Sequence, residues 1–204
     1  MKMKMHMRFV ALALLFIAIT GCAGKRTTVD FTLVPERIQD DVKRNVRTEK
    51  VYRDLDTIFI ADVFYYDQRI RQDYIQTSLQ KGWIDSVQAD KMMAESKENE
   101  QKEVEFVAGI YTSDKRWNDF EKENSMWKVS LETPDGRWIA PSSIEKLKLE
   151  KMRDAYLFPF LTEWKFIYRI TFPKKEVTGA TSYSLRFNSI VGDAAFNWNI
   201  GGTQ

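Results

Sequence analysis

An alternation of apolar and polar residues, sustained through the second half of the chain, constrains the fold more than any other feature. It extends over residues 103–110, 127–132, 164–172, 183–188 and 194–200. Because successive side chains of a β-strand point to opposite faces, this two-residue period predicts strands that each bury one face. The apolar faces need a partner layer, so a β-rich fold is expected.

Turn sequences separate these segments and indicate how they are connected. Pro134-Asp135-Gly136 stands between two apolar runs and predicts a β-hairpin. Short strands joined by turns, without crossover helices between them, favour antiparallel sheets. The predicted fold class is mainly β: an antiparallel immunoglobulin-like β-sandwich with an inserted helical hairpin. This description concerns architecture alone, because a chain with one cysteine lacks the Cys-Trp-Cys core of antibody domains.

The inserted helical hairpin is predicted at about residues 68–101, within a single domain of residues 29–204. Before it, residues 56–67 are dense in β-branched and aromatic side chains, as expected of a central strand covered on both faces. Apolar residues then recur at helical spacing up to Gly82, which is typical of a helix C-terminus. Asp85 and Gln88 form the pattern of a capping box, which indicates a second helix.

The start of the chain has the order of a secretory signal. Three basic residues, Lys2, Lys4 and Arg8, precede an apolar run at residues 9–19. This run is about half of the roughly 20 residues that a transmembrane helix needs, so it is not expected to span a membrane. Residues 1–21 are predicted to be a signal peptide, and residues 22–28 a modified N-terminus and spacer.

The tetrapeptide Ile19-Thr20-Gly21-Cys22 resembles the lipobox of bacterial lipoproteins. The resemblance implies that the thiol of Cys22 takes a diacylglycerol, that the signal is cut before Cys22, and that the new amine is acylated with a fatty acid such as palmitate. It also implies an anchor in the bacterial envelope. Ala23 after the cysteine, by resemblance to sorting in enteric bacteria, favours the outer membrane, with the domain facing the periplasm.

Cleavage before Cys22 would remove His6, the only histidine, and lipidation would consume the only thiol. Catalysis by Ser-His-Asp or Cys-His groups, zinc sites built on histidine and acid–base chemistry by imidazole are then excluded. The prediction is a protein that is not an enzyme, with no catalytic residues, no metal and no cofactor.

The net charge argues against nucleic acid as a partner. The chain has 31 Lys and Arg against 29 Asp and Glu, and loss of the signal leaves 28 against 29. A nucleic-acid footprint needs a clustered basic surface, which this near-neutral balance does not favour. The expected partners are the membrane, through the lipid, and a protein of the envelope.

Aromatic residues crowd together just before the segment 164–172. Tyr156, Phe158 and Phe160 form a possible ligand or partner surface at the end of the sandwich. The competing interpretation is that they fill the bottom of the core, because a small sandwich needs large side chains there.

Two sets of acidic residues have the residue types of chemical sites. Glu132 and Asp135 are close in sequence, and glycosidases use two carboxylates that lie close together in space. The alternative is that Asp135 is present because turns favour Asp. A group of four aspartates lacks the twelve-residue loop of a calcium site. These are Asp54, Asp56, Asp62 and Asp67.

The segment from Trp127 to Phe172 is similar to the β-sandwich domains of uncharacterised bacterial lipoproteins, through its strand, Pro-Asp-Gly turn and closing aromatic strand. With the lipobox, this resemblance implies a membrane-anchored, non-catalytic envelope lipoprotein that presents a β-sandwich for protein–protein interaction. The alternative is a ligand-binding module for an apolar or glycan ligand at the sandwich end.

Overall fold

The computed structural model describes residues 36–148, 158 and 160–201. Within them the chain forms three α-helices and nine β-strands. In chain order these are α1 (Glu36–Asn45), β1 (Val46–Arg53), β2 (Asp56–Tyr65), α2 (Gln68–Gln80), α3 (Ser86–Lys102), β3 (Glu103–Thr112), β4 (Lys128–Glu132), β5 (Trp138–Ile139), β6 (Ser143–Leu147), β7 (Phe166–Pro173), β8 (Ser182–Ser189) and β9 (Gly192–Asn199).

The strands form two sheets that pack face to face as a sandwich. The five-stranded sheet has the order β1-β2-β3-β7-β6, and the four-stranded sheet has the order β5-β4-β8-β9. All neighbouring strands are antiparallel. The predicted antiparallel sandwich is therefore confirmed. Strand β2 is interior, as predicted, but the centre of its sheet is β3.

Alternating side chains from both sheets fill the space between them. Tyr183, Leu185 and Phe187 of β8 are fully or almost fully buried, and their rings and chains meet those of the opposite sheet. For example, the ring centroids of Phe59 and Phe187 are 5.8 Å apart. Trp164 departs from the predicted pattern: it is 75% exposed because it lies in a turn before β7 begins at Phe166.

The predicted helical hairpin is confirmed in the order β2-α2-α3-β3. The side chain of Asp67 caps α2 by accepting from the Ile70 amide, and Gly82 follows α2 with a positive φ of 68°. Both bonds of the predicted capping box between Asp85 and Gln88 are present at the start of α3. Local capping therefore decides where these helices begin.

The helices form a layer over the outer face of the five-stranded sheet. Phe64, Val107 and Ile167 point outward from β2, β3 and β7 and are buried beneath it. An apolar outer face must be covered, so the fold is mixed α/β and the prediction of a mainly β chain is corrected. No helix among the described residues has the length and apolar character to cross a membrane.

Candidate functional site

The outer face of the four-stranded sheet is polar, and no described helix packs over it. Strand register places Trp138, Glu132, Ser184 and Asn197 side by side across its four strands. They share the outer face because directly opposed residues of antiparallel strands lie on the same side. The neighbouring row of β4, β8 and β9 points inward, as shown by the complete burial of Leu131.

A cleft of about 680 Å³ opens on this face, and we call it the polar cleft. Hydroxyl, amide and charged side chains predominate in its lining. They include Glu132, Thr181, Ser182, Ser184, Arg186 and Asn197. The cleft lies within the size range of ordinary small-molecule sites, but its lining is more polar than the predominantly apolar lining of most of them.

Two charged groups in the polar cleft neutralise each other. Arg186 Nε donates to Glu132 Oε2 at 2.7 Å, and the Arg186 guanidinium lies 5.7 Å from the centroid of the Trp138 ring. Arg47 Nε donates to the Asn197 carbonyl at 2.9 Å, across the gap between β1 and β9. The hydroxyl of Ser184 is enclosed and has no hydrogen-bond partner among the described residues.

A second cleft, of about 820 Å³, lies between α3 and the β6–β7 edge of the five-stranded sheet, and we call it the helix-side cleft. Its main charged group is Glu105, which is 9% exposed. Arg71 Nη2 donates to Glu105 Oε2 at 2.6 Å, and Arg169 Nε donates to Oε1 at 3.0 Å. The Arg71 guanidinium also lies 4.2 Å from the centroid of the Tyr66 ring. Both carboxylate oxygens are therefore engaged by protein groups.

The four aspartates that could supply oxygens to a calcium ion have separate structural surroundings. Asp54 has a positive φ of 53° in the β1–β2 turn, while Asp62 is buried and bonded to Thr48 and Lys165. Asp67 caps α2; burial raises the pKa of its carboxyl, and the hydrogen bond from the Ile70 amide opposes that rise. No group of three or more metal-binding side chains is found in the described part of the chain.

The carboxylates of Glu132 and Asp135 also have different hydrogen-bond partners. Glu132 is bound by Arg186, whereas Asp135 is bound by Thr133 and Arg137. Hydrogen bonds from Thr133 and then Arg137 lower the pKa of Asp135. An acid with a lowered pKa is a poor proton donor at neutral pH, so Asp135 is poorly suited to be the general acid of a glycosidase pair.

The predicted aromatic site is placed differently from its expected position. Phe158 is 1% exposed, and its ring contacts those of Phe64, Tyr66 and Phe160 at centroid distances of 5.2, 5.7 and 6.0 Å. This cluster lies under the helices rather than at the end of the sandwich. Phe158 therefore packs against the outer face of the five-stranded sheet and does not form an open surface, while Phe160 is partly buried.

Three of the sequence-predicted features lie outside the described residues. These are Tyr156, the lipobox Ile19-Thr20-Gly21 and the lipidation site Cys22. The residues of the polar cleft were missed, apart from Glu132, because they are far apart in sequence. The only sequence feature that could have predicted them is their position on the polar side of alternating strands.

Comparisons of the chain with family models, with curated proteins and with solved structures found no match.

Proposed function

We propose that this protein is a membrane-anchored, non-catalytic lipoprotein of the bacterial envelope that presents its sandwich to a protein partner. The observation that carries the proposal is the lipobox at residues 19–22, placed directly after a basic and then apolar leader. Each buried methylene contributes about 0.8 kcal/mol, so two or three acyl chains on Cys22 would hold the protein on a membrane. Ala23 supports the outer membrane, with the domain in the periplasm.

Non-catalytic function is supported by the partners of the carboxylates. Glu105, Glu132 and Asp135 each form ion pairs with arginine. With His6 removed in the signal, imidazole chemistry is also lost. The two packed antiparallel sheets support an immunoglobulin-like architecture, although the first three strands stay in one sheet, unlike the ABED and CFG arrangement of immunoglobulin domains.

Two hairpin tips support a protein partner. Leu55 in the β1–β2 turn is fully exposed, and Ile190 in the β8–β9 turn is 89% exposed. The tips are neighbours, because Arg53 Nη2 lies 3.4 Å from the Ile190 carbonyl and a Cβ at Gly192 would approach Val51 to 2.5 Å. Turns favour polar residues, so large apolar side chains at both tips are suited to burial against another protein.

Replacing Cys22 with Ser tests the anchor. We expect Cys22→Ser to abolish incorporation of a labelled palmitate analogue and to release the protein from membranes or leave its signal uncut. Gly21→Ala is the matched control, because Ala is also accepted at this lipobox position, and it should label and fractionate normally. A Cys22→Ser protein that is still cut and still sediments with membranes would contradict the anchor.

Photo-crosslinking in intact cells tests the partner surface. A photoreactive amino acid at position 55 or 190 should give a discrete crosslinked protein band. The same residue at Val87, which is 76% exposed on α3, serves as the control and should give none. Equal crosslinking at all three positions, or none at either tip, would remove the support for this surface.

A further inference from the structure

We propose that the outer face of the four-stranded sheet binds a neutral oligosaccharide, with Ser184 and Asn197 hydrogen-bonding to sugar rings in the polar cleft and Trp138, beside the cleft in the same row, stacking on another ring. The ligand site lies on the outer face of the four-stranded sheet. It does not depend on the lipid anchor or on the hairpin tips, so it can fail or succeed independently of the proposed function.

A row of side chains that crosses the cleft and continues to Trp138 is long enough for a chain-like ligand. Trp138, Glu132, Ser184 and Asn197 occupy four adjacent strands in one row. Neighbouring strands are about 4.8 Å apart, so the row is about 14 Å long. A row of this length can contact more than one ring of an oligosaccharide.

Trp138 supplies the apolar part of the site. It is 56% exposed, and its neighbour Ile139 is 4% exposed and holds the short strand β5 on the core. An indole ring is a large, rigid surface with two rotatable bonds, so it loses little conformational entropy on binding. The apolar face of a sugar ring matches such a surface, whereas a small ion does not.

Ser184 supplies an unused hydrogen-bonding group. Its Oγ is enclosed without a partner among the described residues, although Ser184 lines the cleft. An enclosed hydroxyl without a hydrogen bond is unfavourable, and most such groups in proteins are paired. Rotation about one side-chain bond changes the direction of Oγ, so a ligand hydroxyl can complete its bonding.

The arginines of the polar cleft already have partners, which favours a neutral ligand over an anionic one. Glu132 occupies Arg186, and Arg47 donates to the backbone carbonyls of Arg44, Val46 and Asn197. Both arginines therefore already have oxygen partners, unlike an open phosphate site, where guanidinium groups await the anion. The remaining hydroxyl and amide groups match the donors and acceptors of sugar hydroxyls.

Calorimetric titration of the full chain, purified in a zwitterionic detergent that contains no sugar, tests the proposal. Tri-N-acetylchitotriose, cellotriose and maltotriose are the ligands to titrate. At least one should bind with a 1:1 stoichiometry and a Kd below about 1 mM. Trp138→Ala should weaken that binding about tenfold, and Ser184→Ala about threefold.

Two matched variants control for general effects. Trp164→Ala removes another exposed tryptophan, and Ser130→Ala removes a serine from the same sheet face outside the cleft lining. Both should leave the Kd unchanged. Absence of saturable binding by all three sugars overturns the proposal, as does equal weakening by Trp138→Ala and Trp164→Ala. Concentration-dependent dimerisation that is lost in Trp138→Ala would instead assign this face to a second copy of the chain and would also overturn it.

Discussion

The two outer faces of the sandwich differ in what covers them. On the five-stranded sheet, outward residues such as Phe64 and Val107 are completely buried beneath helices and a loop. On the four-stranded sheet, the outward positions hold Ser184, Arg186 and Asn197, and no helix among the described residues covers them. Both inner faces contribute to one aromatic core. The comparison shows that outward-facing residues decide which sheet becomes an internal layer and which remains available to a ligand.

The covered face also contains a buried ion-pair network, whereas a similar ion pair on the open face is partly exposed to water. Glu105 lies on the outward side of β3 and is 9% exposed, and Arg71 and Arg169 bind it. On the open face, Glu132 and Arg186 form a comparable pair whose side chains are 26% and 32% exposed. Water can solvate the second pair if it breaks, but it reaches the first one poorly. The same chemistry should therefore have different energetic consequences on the two faces.

The largest expected effect comes from Glu105→Ala. The variant leaves Arg71 without its carboxylate in a largely buried position, and loss of one partner of a buried pair costs about 3 kcal/mol or more. Urea denaturation, which measures the free energy of unfolding, checks this value.

Glu132→Ala is the matched control on the open face. Its loss should cost about 0.5 kcal/mol, because the partly exposed Arg186 can be solvated. If the two variants lose equal stability, burial by the helical layer does not distinguish the two faces as we infer.

Much of this contrast was readable from sequence. The alternation in 183–188 and 194–200 predicts an outward polar face, and β2 was expected to be covered on both sides because residues 56–67 are apolar on both. Capping residues Asp85 and Gln88 located the helix pair because their hydrogen bonds are local.

Long-range pairing was the part that could not be predicted. Arg186 meets Glu132 because β4 and β8 are hydrogen-bonded neighbours, and no local pattern specifies that choice. The same applies to Glu105 and Arg169, which are 64 positions apart. Composition also could not distinguish the buried Phe158 from the exposed Trp138, since aromatic residues serve both cores and binding surfaces.

The smaller predicted effect concerns helix α3 of the covered face. In α3, Ala89 and Ser96 are the buried residues, so the helix depends strongly on its cap. Asp85→Ala removes the hydrogen bond to the Gln88 amide and should cost about 1 kcal/mol. Hydrogen exchange should accelerate in α3 while β8 and β9 keep their protection, because local opening needs less free energy than global unfolding.

Asp90→Ala, at an exposed position within α3, is the matched control and should not accelerate exchange. Faster exchange in β8 and β9 of Asp85→Ala would show that α3 and the four-stranded sheet unfold as one unit. The stability of the polar face would then depend on α3, although α3 is not part of the four-stranded sheet. The two faces could not be altered independently. Protection retained in β8 and β9 would instead make α3 a separable cover, so that variants of the polar cleft can be interpreted without reference to the helices.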